Sequence, residues 1–331
     1  MNILLLLLCK ILIRAVSQAI SAKNRIYYPH EEDPLRIKHF AFDDDQGKTR
    51  VQNLTTYSML TSRWMNSDAT IAFHLYNQRN KCKNCSELHD VRGSFESLMR
   101  SKIYDCSKPN YFVIHGFYNT HKSKSCQTIK DAVLIKHDVN VFIVDWSAHT
   151  LDTYVKARHY VNIVGKKLGN YIKRMKYTFR LGYDMSRRAV TDGQVKYIIG
   201  LDPAGVLFAF SKREERLDEN DAKMVQILHT TSVWGFRSSL GHVDFYFNGA
   251  FFQPNCDFDF FLVCAHKRSY FYYAESMVLD GFEAELCSSE RCERDQCVAY
   301  MGTLELDPNA SGDYCLQTNG ESPYRKPFIK H

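Results

Sequence analysis

An α/β fold built on a mostly parallel sheet is expected from three features of the chain. Short apolar runs recur, stretches with helical spacing lie between them, and no Gly/Ser-rich or Pro-rich segment divides the sequence. The runs are continuous rather than alternating, which is the pattern of strands covered on both faces.

In chain order, the 331 residues open with MNILLLLLCKILIRAVSQAISA. An apolar run from Ile3 to Cys9, succeeded by small residues at Ala15, Ser17, Ala19 and Ala22, reads as a secretory signal over residues 1–22. The run is far shorter than the ~20 residues of a transmembrane span, and the charges of Lys10 and Arg14 end it. Residues 23–331 are expected to form a single domain, since 45% hydrophobic and 13% aromatic content is enough for a sizeable core.

Candidate strands are YFVIHGF (111–117), VFIVDW (141–146), YTFRL (177–181), VKYIIGLD (195–202) and HVDFYF (242–247). Helical spacing covers 128–137, 152–175 and 218–228, the last with Asp218 as its N-cap. The tail after Glu275 shows little periodicity and is expected to be a loop region stapled by cysteines 287, 292, 297 and 315.

Ten cysteines remain beyond Cys9, and an even number behind a signal implies disulfides in an oxidising compartment. Cys82 and Cys85 in CKNC have no second CxxC or close histidine pair, so a structural bridge outweighs half a zinc site. Asn53, Asn84 and Asn309 are glycosylation sequons, expected on the surface of a secreted chain. The net charge of +6 is too small to argue for nucleic acid, and the cluster Lys166, Lys167, Lys173, Arg174 and Lys176 reads as a solvated helix face.

Three stretches carry candidate chemistry. VIHGF (113–117) ends a strand in a tight turn. YIIGLDPAG (197–205) places Asp202 at the carboxyl end of another, and CAHKRSYFYYAES (264–276) presents His266. Such a carboxylate can orient a histidine, although singly each residue has an ordinary structural role.

Together they resemble the pancreatic lipase family, including its secreted phospholipase A1 branch, from about Thr70 to Tyr324. IAFHLYNQRN (71–80), FIVDWSAHTLDTYVKARHYVNIVGKKLGNYI (142–172), RLDENDAKMVQILHT (216–230) and GHVDFYFNGAFFQPNC (241–256) extend the resemblance in order, and YMG (300–302) with SGDYCLQTNGESPY (311–324) is similar to the family's closing strands. It implies an α/β-hydrolase fold with a triad in the order nucleophile, acid, base. Carried over position by position, Asp202 is the acid and His266 the base, and the N–H groups of Phe117 and Met185 form the oxyanion hole. Cys256 and Cys264 close a lid short enough to look like the phospholipase A1 branch. The resemblance implies no cofactor and no metal, and the family's C-terminal lipid-binding domain is not expected.

The nucleophile motif departs from the family. Where the family has G-x-S-x-G, this chain has GYDMS, Gly182 to Ser186, so Asp184 stands at the nucleophile position and Ser186 replaces the second glycine. Losing a triad serine costs on the order of a millionfold in turnover. The expectation is a secreted, extracellular lipase-fold protein that has lost ester hydrolysis and binds lipid, another hydrophobic ligand or a protein partner. Two alternatives are an active ester hydrolase with Ser186 as nucleophile, and an aspartate-nucleophile hydrolase of the epoxide hydrolase type using Asp184.

Overall fold

The structure is a computed structural model that describes residues 3–8, 39–44, 48–53, 70–82, 84–90, 96–179, 195–209, 211–257, 262–288 and 297–327. Its strands are β1 (Ile3–Leu8), β2 (His39–Asp43), β3 (Thr49–Asn53), β4 (Ala72–Tyr76), β5 (Glu87–Asp90), β6 (Asn110–Ile114) and β7 (Asn140–Asp145), then β8 (Tyr197–Leu201), β9 (Met224–His229), β10 (Val243–Phe247), β11 (Phe282–Leu286), β12 (Val298–Met301) and β13 (Gly312–Leu316). The helices are α1 (Glu96–Met99), α2 (Lys124–Lys136), α3 (Tyr154–Phe179) and α4 (Val263–Val278).

Eleven strands make one sheet in the order β12-β11-β13-β10-β9-β8-β1-β6-β7-β4-β5, with β2 and β3 as a separate hairpin. From β13 across to β7 every pairing is parallel, and antiparallel pairs occur only at the two margins. Alternation along the central strands feeds two cores. Phe112, Ile114, Phe142, Val144, Val225 and Ile227 face α3, whose Val161, Val164, Leu168 and Ile172 keep helical spacing. Tyr111, Val113, Val141, Ile143 and Ile199 face Ile129 and Val133 of α2 and Tyr272, Tyr273 and Met277 of α4. This double cover is why the strands read as unbroken apolar runs.

Several expectations are corrected. Residues 177–179 of the expected strand at 177–181 are the end of α3. The place between β6 and β8 is taken instead by β1, the same Ile3–Leu8 run that reads as a secretory signal, with Leu5 level with Phe112 on one side and Ile198 on the other. An uncharged six-residue run suits a central strand better than YTFRL, which carries Arg180. Asp218 does cap, but only the 3-10 turn Glu219–Asp221, and the chain then enters β9 rather than a helix. MVQIL is too short an apolar run for its period to tell strand from helix, and the sheet edge at β8 decides it. The tail is likewise not a loop region: β11, β12 and β13 extend the sheet, with Cys287 joined to Cys315.

Disulfides also join Cys82 to Cys85 and Cys256 to Cys264, and Cys297 is disulfide-bonded, whereas the exposed Cys106 is a thiol. An even cysteine number therefore does not place every one in a bridge. No helix among the described residues is long and apolar enough to cross a membrane.

Removing residues 1–22 would strip β6 and β8 of the ladders they share with β1, leaving central backbone groups without partners. A 23–331 chain is expected to unfold at lower urea than the full chain and to bind more apolar dye; equal midpoints would place Ile3–Leu8 outside the stable sheet.

In the turn before β9, Asp218 N–H donates to Asp221 Oδ2 at 2.9 Å. Burial pushes the Asp221 carboxyl up to about 8, more than this bond pulls it down. The folded chain thus keeps a proton that the unfolded chain, with an ordinary value of 3.8, releases, so stability falls as pH rises from 3.8 to about 8. Asp221→Asn should match the wild-type melting temperature below this window and exceed it above, as read from thermal melts across pH.

Candidate functional site

Asp202 sits at the carboxyl end of β8 with φ 46°, a left-handed conformation that aspartate tolerates better than branched residues. Its side chain is fully buried. Oδ1 accepts the N–H groups of Thr230 and Thr231 at 2.8 and 3.0 Å, just beyond β9, and Oδ2 accepts His266 Nδ1–H at 2.6 Å. Gly235 makes room for this carboxylate: a Cβ there would lie 2.6 Å from Asp202 Oδ1 and would run into the Thr231 carbonyl.

His266 belongs to the first turn of α4. Leu262, in a left-handed conformation with φ 51°, starts the helix, and the Cys256–Cys264 bridge fixes the approach to it. Ser269 Oγ donates to the His266 carbonyl at 2.8 Å. Because a carboxylate only accepts, the proton of the neutral ring is on Nδ1, and Nε2 is the basic nitrogen. An imidazole held this way can accept a proton from a hydroxyl or a water.

A second histidine–carboxylate pair lies close by and differs in its exposure. His229 Nε2 lies 2.7 Å from Asp244 Oδ1 while its Nδ1 lies 2.9 Å from the Phe236 carbonyl. The His229 side chain is 0% exposed, against 27% for His266. Burial opposes its protonation, but the Asp244 carboxylate outweighs that and raises it. With both ring nitrogens occupied inside the protein, His229 is a structural tie; His266 alone of the two is reachable from solvent.

Phe117 lies beyond β6 in the expected turn. Its carbonyl accepts from Asn119 Nδ2 at 2.8 Å, Tyr118 takes φ 58°, and Tyr118 N–H donates to the Thr150 carbonyl at 3.2 Å. The turn is pinned from below, where Trp146 Nε1 donates to the His115 carbonyl at 2.9 Å. The Phe117 ring is buried edge-on against Phe42 and Tyr154 at centroid distances of 4.8 and 5.2 Å. Asp184 and Met185 lie outside the described residues. Asn84 and Asn309 are exposed, and Asn53 ends β3.

Sequence reasoning missed two features. Gln253 bridges the site to its surroundings, with Nε2 donating to the Thr230 and Phe247 carbonyls at 2.9 and 2.8 Å and Oε1 accepting from Asn248 Nδ2 at 2.7 Å. Only its place in the order NGAFFQPNC signalled it. Among the described residues, His74, His121 and Asp145 also converge as a group of metal-type donors, although far apart in sequence.

The profile of the Lipase family matches residues 41–324, a span that takes in Phe117, Asp202, Cys256, Cys264 and His266. Lipoprotein lipases of Homo sapiens, Neovison vison and Bos taurus are each 29% identical to the chain over 287 residues, covering 72% of this chain and 60% of theirs. The chain thus spans about 60% of the length of these relatives. The mostly parallel sheet with helices on both faces is the α/β-hydrolase fold of that family. By its matched span, its fold and the order of its motifs, the chain belongs to the lipase family.

Proposed function

We propose that this protein is an extracellular, non-hydrolytic member of the lipase family that holds a lipid or another apolar ligand beside the Asp202–His266 pair. The observation that carries the reading is aspartate at position 184, where the family's serine belongs. A carboxylate has no proton to give up to the imidazole. Its attack on an ester would yield an anhydride, and its charge opposes that of a developing oxyanion.

Retention of Asp202 and His266 requires no chemistry. Asp202 satisfies two buried backbone N–H groups as well as the histidine, so its loss would be felt in folding whether or not an ester is ever cut. Apolar contact surface is present nearby. Phe251 and Phe252, just before Gln253, are 40% and 61% exposed, and Leu151, after Thr150, is 48% exposed. Three described disulfides and the exposed sequons at Asn84 and Asn309 support an extracellular setting.

A second reading, an active carboxylic ester hydrolase whose nucleophile is Ser186, is favoured by one observation: the 2.6 Å bond that leaves His266 Nε2 as a proton acceptor. Labelling separates the two. The purified protein is expected to take up no fluorophosphonate probe and to hydrolyse carboxylic and phospholipid esters no faster than His266→Ala, while binding a fluorescent fatty acid that Phe252→Asp binds more weakly. Probe on Ser186 together with ester turnover would overturn this.

Stability gives an independent check. Asp202→Ala leaves the Thr230 and Thr231 N–H groups without their acceptor, at about 1–3 kcal/mol for each orphaned group. His266→Ala leaves the carboxylate those two donors. Urea unfolding is expected to show Asp202→Ala as the more destabilised of the two.

A further inference from the structure

The connection between β4 and β5 reads NQRNKCKNCS, residues 77–86, and the proposed function uses none of it. Cys82 and Cys85 form a bridge across a separation of three residues, and both are exposed. Cys85 N–H donates to the Cys82 carbonyl at 3.1 Å, which folds the segment into a turn. Asn80 ties that turn to the end of β4. Its Nδ2 donates to the Leu75 and Cys85 carbonyls at 3.1 and 2.9 Å, and its Oδ1 accepts Asn77 N–H at 2.7 Å. The backbone that brings the two sulfurs together is therefore held by bonds other than the bridge itself.

We propose that Cys82–Cys85 is a thiol–disulfide exchange site, opened and closed in the folded protein by an external dithiol. A donor thiolate attacks one bridge sulfur, the Cys82–Cys85 bond breaks, and the released cysteine leaves as a thiolate that takes up a proton. The donor's second thiolate then attacks the donor sulfur of the mixed disulfide and frees the other cysteine, which is protonated in turn. Two electrons and two protons pass to the bridge, and the donor ends as a disulfide. The reverse sequence closes the bridge again, and the turn held by Asn80 keeps both thiols within reach for it.

Exposure, ring size and charge separate this bridge from Cys256–Cys264 and Cys287–Cys315. Cys256 is buried, which shields its sulfur from attack. Cys287 and Cys315 are exposed, but they lie 28 residues apart and staple β11 to β13. A ring as small as that of Cys82–Cys85 constrains the unfolded chain far less, so opening it takes less from the stability of the fold. It also lies beside β5, which ends the sheet and pairs only with β4, so the opening stays local. Local charge decides between the two exposed bridges. Arg79, Lys81 and Lys83 lie within three residues of Cys82, and no acid follows them before Glu87. Glu285 stands opposite Cys315 across the β11–β13 pair, two residues before Cys287, and Asp313 lies two residues before Cys315. The attacking species and the leaving group are both thiolates, which cations draw in and stabilise and carboxylates repel.

In the test, oxidised full-length protein is treated with dithiothreitol near neutral pH, below its melting temperature, and quenched with acid. New thiols are alkylated and mapped by peptide mass spectrometry. Cys82 and Cys85 are expected to be labelled about tenfold sooner than Cys287 and Cys315, while near-ultraviolet circular dichroism stays native. Reduced glutathione, an anionic thiol, should give the same order, with a lead that shrinks as salt is added. Cys82→Ser leaves Cys85 as a single thiol and should capture oxidised glutathione there as a mixed disulfide. Should that variant fail to fold, the wild-type labelling order carries the test. Opening of all bridges at one rate, opening only with loss of the native signal, or no capture at Cys85 in a folded variant would leave a structural staple and overturn the proposal.

Discussion

The buried carboxylate of Asp202 is the constraint around which the candidate site is arranged. An ionised group removed from water must recover its solvation from fixed donors, and Asp202 does so with two backbone N–H groups and one imidazole. Those donors come from separate segments, the turn after β9 and the first turn of α4. The carboxylate therefore ties the ends of β8, β9 and α4 together. Gly235 is required by the same geometry, since a methyl group there would displace the oxygen that receives Thr230 and Thr231. The site is thus held in shape by the electrostatics of one side chain, independently of any reaction.

Much of this was legible in the sequence, for physical reasons that also explain what was not. Strands β6, β7, β8 and β10 are covered on both faces, so their unbroken apolar runs marked them, and Asp202 was visible as a lone acid at the end of such a run. Residues 224–229 carry the same kind of run, but a preceding N-cap signal invited a helix. The tail strands β11 and β13 mix buried with exposed positions at the sheet margin, so no unbroken run marked them and only the resemblance implied closing strands at 300–302 and 311–324. His74, His121 and Asp145 could not be joined from spacing at all. Their meeting depends on the β4–β7 register, and one residue of slip would send His74 to the opposite face.

The N-terminal run shows how one composition serves two demands. A leader needs a short uncharged stretch to enter a membrane-bound exporter, and a strand covered on both faces needs the same thing for a different reason. For Ile3–Leu8 the two uses are mutually exclusive within one molecule. A chain cleaved after the leader loses the ladders that β6 and β8 share with β1, so their backbone groups must find other partners.

On the proposed reading, an aspartate at the nucleophile position also changes what the imidazole can do. A general base must be neutral to accept a proton, and a buried carboxylate already occupies the Nδ1 side of His266. A second carboxylate brought to the Nε2 side would favour the protonated ring, making His266 the cationic partner of two acids rather than a base. On that reading the substitution that removes the nucleophile would also disable the base, without altering either Asp202 or His266. The acid and the histidine, bonded at 2.6 Å, could then stay intact in a site that holds an apolar ligand rather than cleaving it.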